Sequence, residues 1–86
     1  MIDLLERLIT KYGDDNQLNK AIEELSELIR ALSRKDIENI IEEIVDVEIM
    51  LHQVRIILKR KIPNYQEIYS NNFQKKIKKL HNLLRS

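Results

Sequence analysis

Residues Ala21 to Leu51, AIEELSELIRALSRKDIENIIEEIVDVEIML, decide the fold of this chain. The stretch carries two acidic pairs, Glu24/Glu27 and Glu43/Asp46, with a short polar break between them. In a helix, residues three positions apart lie one turn above the other on the same side. Two helices folded against each other at the break would therefore gather four carboxylates. Such a cluster repels itself unless protons or cations intervene, and Mg²⁺, which prefers oxygen ligands, is the natural counter-charge.

The rest of the sequence predicts an all-α fold in a single domain, residues 1–86. One glycine and one proline among 86 residues leave few turn signals for a sheet. Apolar spacing and capping residues predict four helices. They are a short N-terminal helix at residues 2–11, an antiparallel central pair at 14–33 and 37 to 59 or 60, and a basic C-terminal helix at 65–84. Gly13 ends the first helix, and Asp14, Asp36 and Asn64 are expected to cap the starts of the other three.

The two central helices show matching faces. The apolar stripe of the second helix is centred on Leu25 and that of the third on Ile44, and each stripe is expected to face a core. Both acidic pairs take the same offsets, about 100° and about 160°, from these centres. The match predicts that the pairs face a common cleft. The alternative is a solvated helix surface on which Lys20 simply pairs with Glu24.

Charge is distributed unevenly along the chain. Residues 1–50 contain six Lys and Arg against thirteen Asp and Glu, whereas residues 51–86 contain nine against one. Two oppositely charged halves could simply fold together, or cations could bind the first half while the second half holds phosphates. Few aromatic residues accompany the basic residues, so nucleic acid is not the expected partner. The absence of cysteine, of a secretory signal and of a membrane span favours a cytoplasmic protein without a membrane partner.

The third helix becomes apolar nearly all round after Asp46. A helix that is apolar on every side must be buried by more than one neighbour, and in so short a chain another copy is the expected neighbour. We therefore expect a helical-bundle homo-oligomer, a dimer or a tetramer. Glu48 and Arg55 lie close to the apolar centre and are expected to be ion-paired or at an interface. His52 is expected at the surface or an interface.

Two segments, QLNKAIEELSEL from Gln17 and EIVDVEIML from Glu43, carry a resemblance to a known family. They resemble the MazG-like nucleotide pyrophosphohydrolases of the all-α NTP pyrophosphatase superfamily. The family motif is Glu-Glu-x-x-Glu followed, after a linker, by Glu-x-x-Asp, and it is met here by Glu23, Glu24, Glu27, Glu43 and Asp46. The closing segment KIKKL is similar to the family's Lys-x-x-Arg-Leu element, with Lys79 where arginine is usual.

The resemblance implies cleavage of a nucleoside triphosphate between its α and β phosphates, giving the monophosphate and pyrophosphate. It implies Mg²⁺, or alternatively Mn²⁺, as the cofactor. By position, the implied metal ligands are Glu24, Glu27, Glu43 and Asp46. Glu23 would assist as a catalytic base, and the implied substrate-binding residues are Gln17, Lys20, Lys76 and Lys79.

Other interpretations of the same residues stay open. One is phosphoribosyl-ATP pyrophosphatase, a relative in the same superfamily that shares the acidic helix pair. Another is a helical dimerisation module whose acids are only solubilising charges. A third is a family member that binds nucleotide without turnover.

Overall fold

The computed structural model describes residues 1–86 and contains four α-helices and no strand. The helices are α1 (Ile2–Tyr12), α2 (Asp14–Arg34), α3 (Ile37–Lys61) and α4 (Tyr65–Arg85). The predicted all-α class, number of helices and their order are confirmed, and the bounds agree to within two residues. None of the helices combines the length and the apolar composition needed to cross a membrane.

Local signals set the helix ends. Gly13 has a positive φ of 87°, which glycine adopts without strain, and its N–H donates to the Ile9 carbonyl at 2.8 Å. Asp36 caps α3 as predicted, because its carboxylate accepts a hydrogen bond of 3.4 Å from the backbone N–H of Asn39. Asp14 does not cap α2. It is the first residue of the helix, and its carboxylate lies 3.4 Å from the Lys61 ammonium instead.

The core lies between α2 and α3, which form an antiparallel hairpin, and α1 packs against both helices. Two small side chains, Ala21 and the fully buried Ala31, lie on the side of α2 that meets α3. Small side chains let the two helix backbones approach closely. The remaining core side chains, which are larger, come from α1 and α3: Leu5, Ile9, Val47, Met50 and Ile57.

The faces through which α2 and α3 pack against each other are not the apolar faces predicted from the sequence. Leu25 is 41% exposed and Ile44 is 40% exposed, so the expectation that their stripes face this chain's own core is wrong. The buried rows instead contain Glu24 on α2 and Glu43 on α3. Each apolar stripe lies roughly 100° around its helix from the buried row. Sequence periodicity identifies an apolar face but does not say whether it meets the same chain or another.

The C-terminal helix α4 packs only against α3 and has no buried residue. Its apolar side is a row of aromatic rings, Tyr65, Tyr69 and Phe73, stacked at 6.0 and 6.1 Å between centroids. The radius of gyration is 15.8 Å, against about 12 Å for a compact domain of this length. A single chain is therefore extended, with α4 projecting from the three-helix core.

Candidate metal centre and adjoining groove

Three carboxylates from two helices converge between α2 and α3. Glu24, Glu27 and Glu43 each offer an oxygen, and these oxygens all lie within 4.8 Å of one another. The spacing follows from the hairpin, because the i, i+3 pair on α2 lies on one side of its helix and the antiparallel α3 brings Glu43 opposite. The predicted meeting of acids from both helices is therefore seen in the structure for these three residues.

Two oxygens of the cluster are buried without a hydrogen-bond partner. They are Oε2 of Glu24 and Oε2 of Glu43, and each of these residues is only 9% exposed. Burial raises the pKa of both carboxyls, and the negative charges of Glu27 and Asp46 raise them further. A buried carboxylate normally accepts several hydrogen bonds, so these orphan oxygens fit a site that receives protons or a hard cation.

Asp46 lies beside the cluster but outside the group of three. Its charge raises the pKa of both Glu24 and Glu43, which places it within electrostatic range of each. Its side chain is half-buried. Asp46 therefore lies near Glu24 and Glu43, and its assignment as a fourth metal ligand stays a prediction.

Lys20 connects the acids to the adjoining surface. Its ammonium lies 3.3 Å from Oε1 of Glu24 and 3.5 Å from Oε2 of Glu23. The hydrogen bond to Glu24 and the charge of Glu23 raise the pKa of Lys20. The pairing of Lys20 with Glu24 that the sequence suggested is confirmed. Glu23 itself is exposed and lies outside the acid cluster, so its assignment as a catalytic base stays a prediction.

A groove of about 430 Å³ adjoins the cluster, within the usual size range of small-molecule sites. Gln17 and Lys20, both predicted to bind substrate, line it together with an aromatic ring, Tyr12. Its other lining residues are Leu8, Asn16, Ile49, Met50 and Gln53. Since Lys20 touches both the groove and Glu24, a ligand in the groove would extend directly toward the acids.

Gln53 is a buried residue at the groove that was not predicted from the sequence. This side chain is 2% exposed, and its Oε1 is buried without a hydrogen-bond partner. The available signal was spacing: Gln53 follows Asp46 by seven residues, just as Gln17 precedes Glu24 by seven. Because α2 and α3 are antiparallel, these intervals bring both glutamines to the same end of the hairpin.

The structure does not bring every predicted site residue together. Lys76 and Lys79 lie on α4, which makes no contact with α1 or α2, so within one chain they are not part of the acid cluster. Glu48, Arg55 and the exposed His52 lie near one another along α3. The expected ion pairing of Glu48 and Arg55 does not occur within the chain, whose salt bridges involve other residues.

Comparisons with protein-family models, curated proteins and solved structures return no significant match. The protein is therefore described by its fold and by the chemistry of its site. It is an all-α chain with an acidic cluster between two antiparallel helices and a mostly apolar groove beside that cluster.

Proposed function

We propose that this protein is a Mg²⁺-dependent nucleoside triphosphate pyrophosphohydrolase that releases pyrophosphate and a nucleoside monophosphate. The observation that carries the proposal is the pair of buried, partnerless carboxylate oxygens on Glu24 and Glu43, with Glu27 beside them. The resemblance to the MazG-like enzymes supports it through the same residues. The cytoplasmic location expected from the sequence stays a prediction.

The donor set fits a divalent cation. Carboxylate oxygens are the ligands that Mg²⁺ prefers, and Mn²⁺ accepts the same set. Glu24, Glu27, Glu43 and Asp46 would hold the ion. When bound, it would neutralise the triphosphate, polarise the α-phosphorus and make a coordinated water more acidic.

The chain's own residues would orient the substrate. The ammonium of Lys20 lies at the boundary between the acids and the groove. There it would bind a phosphate oxygen in place of the Glu24 carboxylate. Attack of water on the α-phosphorus breaks its bond to the bridging oxygen, and pyrophosphate leaves. Glu23, whose carboxylate is bonded to Lys20, would accept the proton of the attacking water.

The groove would hold the nucleoside. Tyr12 provides a ring for stacking, and the amides of Gln17 and Gln53 can donate to and accept from the edge of a base. The partnerless Oε1 of Gln53 would accept a hydrogen bond from an amino or ring N–H group. Lys76 and Lys79 would bind the β and γ phosphates if a neighbouring subunit supplied α4.

The test is pyrophosphate release from ribo-, deoxy- and modified nucleoside triphosphates with Mg²⁺ and with EDTA. Wild-type protein should release pyrophosphate only with the metal, and Glu24→Gln and Asp46→Asn should each reduce kcat at least about 100-fold. Glu42→Gln changes an exposed acid next to Glu43 and is the matched control that should retain activity.

Two further arms separate the alternatives. Preferential hydrolysis of phosphoribosyl-ATP would identify the histidine-pathway relative, and calorimetric binding of a nucleoside triphosphate in the presence of Mg²⁺ without its turnover would identify a nucleotide-binding module. Equal, metal-independent turnover by wild type and both variants would refute the site assignment.

A further inference from the structure

A small cavity lies where the end of α3 meets the start of α4. Its volume is about 130 Å³, and it is lined by Arg55 and Lys59 of α3 and by Tyr65, Gln66 and Tyr69 of α4. Pockets that enclose a whole cofactor or drug-sized ligand measure about 300 to 1,000 Å³. The cavity is therefore of a size for one small ion, and it shares no lining residue with the groove beside the acid cluster.

The α3 wall of this cavity is cationic. Arg55 and Lys59 are four residues apart, so they lie one turn apart on the same side of the helix. Like charges at this spacing repel each other unless an anion lies between them. No acid lines the cavity, and neither cation forms a salt bridge within the chain. The nearest acids along the sequence, Glu48 and Glu67, thus leave both charges uncompensated.

The α4 wall adds neutral hydrogen-bond donors. Tyr65 and Tyr69 stack at 6.0 Å between ring centroids, and both rings line the cavity. Neither hydroxyl takes part in a hydrogen bond within the chain. The ammonium of Lys59 lies 5.9 Å from the centroid of the Tyr65 ring, a cation–π contact that keeps it at the boundary of the two helices. Guanidinium, ammonium and phenol groups all donate, so the matching ligand is an anion with several acceptor oxygens.

We propose that this cavity binds inorganic phosphate. The four oxygens of the tetrahedral ion can accept from both cations and both hydroxyls, and a guanidinium such as that of Arg55 binds two phosphate oxygens at once. The bound ion would bridge α3 and α4, whose packing leaves no residue of α4 buried. Binding therefore holds α4 against α3. The site requires neither the acid cluster nor a nucleotide, so it stands or falls separately from the proposed activity.

Calorimetric titration of the full chain with inorganic phosphate tests the proposal, in EDTA and at constant ionic strength. EDTA removes any cation that could hold an anion at the acid cluster. Arg55→Met and Lys59→Met should each weaken phosphate binding at least about 10-fold, because each removes a charge-assisted hydrogen bond. Arg55→Lys keeps the charge without the two-pronged geometry, so its affinity should lie between those of wild type and Arg55→Met. Arg60→Met removes an exposed cation next to Lys59 that does not line the cavity, and it should bind like wild type.

Tyrosine resonances locate the bound ion independently of the variants. Phosphate should shift the ring signals of Tyr65 and Tyr69 in the wild-type protein, whereas those of Tyr12, which lines the groove beside the acids, should stay in place. Amide hydrogen exchange in α4 should slow at saturating phosphate, and Arg55→Met/Lys59→Met should abolish both effects while circular dichroism shows unchanged helix content. A wild-type Kd above about 10 mM, wild-type affinity in the double variant, or a shift of Tyr12 alone would each overturn the proposal.

Discussion

Glu24 on α2 and Glu43 on α3 each bury one carboxylate oxygen, Oε2, without a hydrogen-bond partner, and both belong to the group of residues whose oxygens gather within 4.8 Å. Two helices thus bury like charges between them, although burial without a counter-charge costs stability. Four measurable consequences follow from this arrangement and from the groove beside it.

The first concerns metal-dependent stability. At a Mg²⁺ concentration of about 100 times Kd, the folded protein should gain about 2.7 kcal/mol, which calorimetry reads as a rise in Tm. Glu43→Gln removes one of the repelling charges, so in EDTA at pH 7.5 its Tm should exceed that of wild type by a few degrees, and its response to Mg²⁺ should shrink. Glu42→Gln should do neither. A variant less stable than wild type in EDTA, with its Mg²⁺ response intact, would contradict the prediction.

The second concerns pH. The pKa values of Glu24 and Glu43 are raised in the folded protein, chiefly by burial, so the folded state holds these protons more tightly than the unfolded chain. The stabilising contribution is present at low pH and is lost as the pH rises from about 4 through the raised values. In EDTA, the Tm of Glu24→Gln/Glu43→Gln minus that of wild type should therefore grow between pH 4 and pH 8. A difference that stays flat over this range would show that the two carboxyls titrate normally.

The third concerns Lys20. Its ammonium opposes the negative charge of the cluster, so Lys20→Met should tighten Mg²⁺ binding about 2- to 5-fold while raising KM for the nucleotide about 10-fold. Calorimetry with the metal alone and steady-state kinetics measure the two effects. Arg30→Met, an exposed cation on the same helix, is the control. If both affinities fell together, Lys20 would be a structural residue and not a phosphate contact.

The fourth concerns Gln53. Replacing a buried amide that lacks a partner with an apolar group of similar size removes a desolvation cost, so Gln53→Leu should stabilise the fold by about 1 kcal/mol in chemical denaturation. The same change should weaken nucleotide binding at least about 10-fold if the amide forms a hydrogen bond with the nucleobase. Gln74→Leu, on exposed α4, should change neither quantity. Unchanged nucleotide binding by Gln53→Leu would remove this residue from the proposed site.

Local chemistry explains why the helices themselves were predictable. Gly13 with its positive φ, and Asp36 with its capping hydrogen bond, set helix ends through contacts within a few residues along the chain. The acidic pairs were also predictable as pairs, because the interval of three residues fixes their relative direction on a helix. These features require no knowledge of what packs against the helix.

The packing partner of each face could not be derived in the same way. Periodicity placed Leu25 at the centre of a core-facing stripe, whereas Glu24 is the buried neighbour and Leu25 is 41% exposed. In this chain the buried apolar residues of α2 are the small Ala21 and Ala31, to which a hydrophobicity scale gives little weight. Gln53 was not predicted because a single amide side chain within an apolar helix is not by itself a signal of a binding site. Its proximity to Gln17 becomes visible only in the groove that both side chains line.

The two ends of the α2–α3 hairpin are closed by different means. The turn at Lys35 and Asp36 joins the helices covalently at one end, whereas at the other end Asp14 and Lys61 meet through a half-exposed ion pair of 3.4 Å. Pairs of this kind contribute at most about 1 kcal/mol and weaken with added salt. The groove with Gln17 and Gln53 lies toward this second end, and the acids lie toward the turn. If the proposed function holds, substitutions at Gln53, which has no contact with the acids among the hydrogen bonds and ion pairs of the chain, would change ligand preference while the acidic end keeps its geometry.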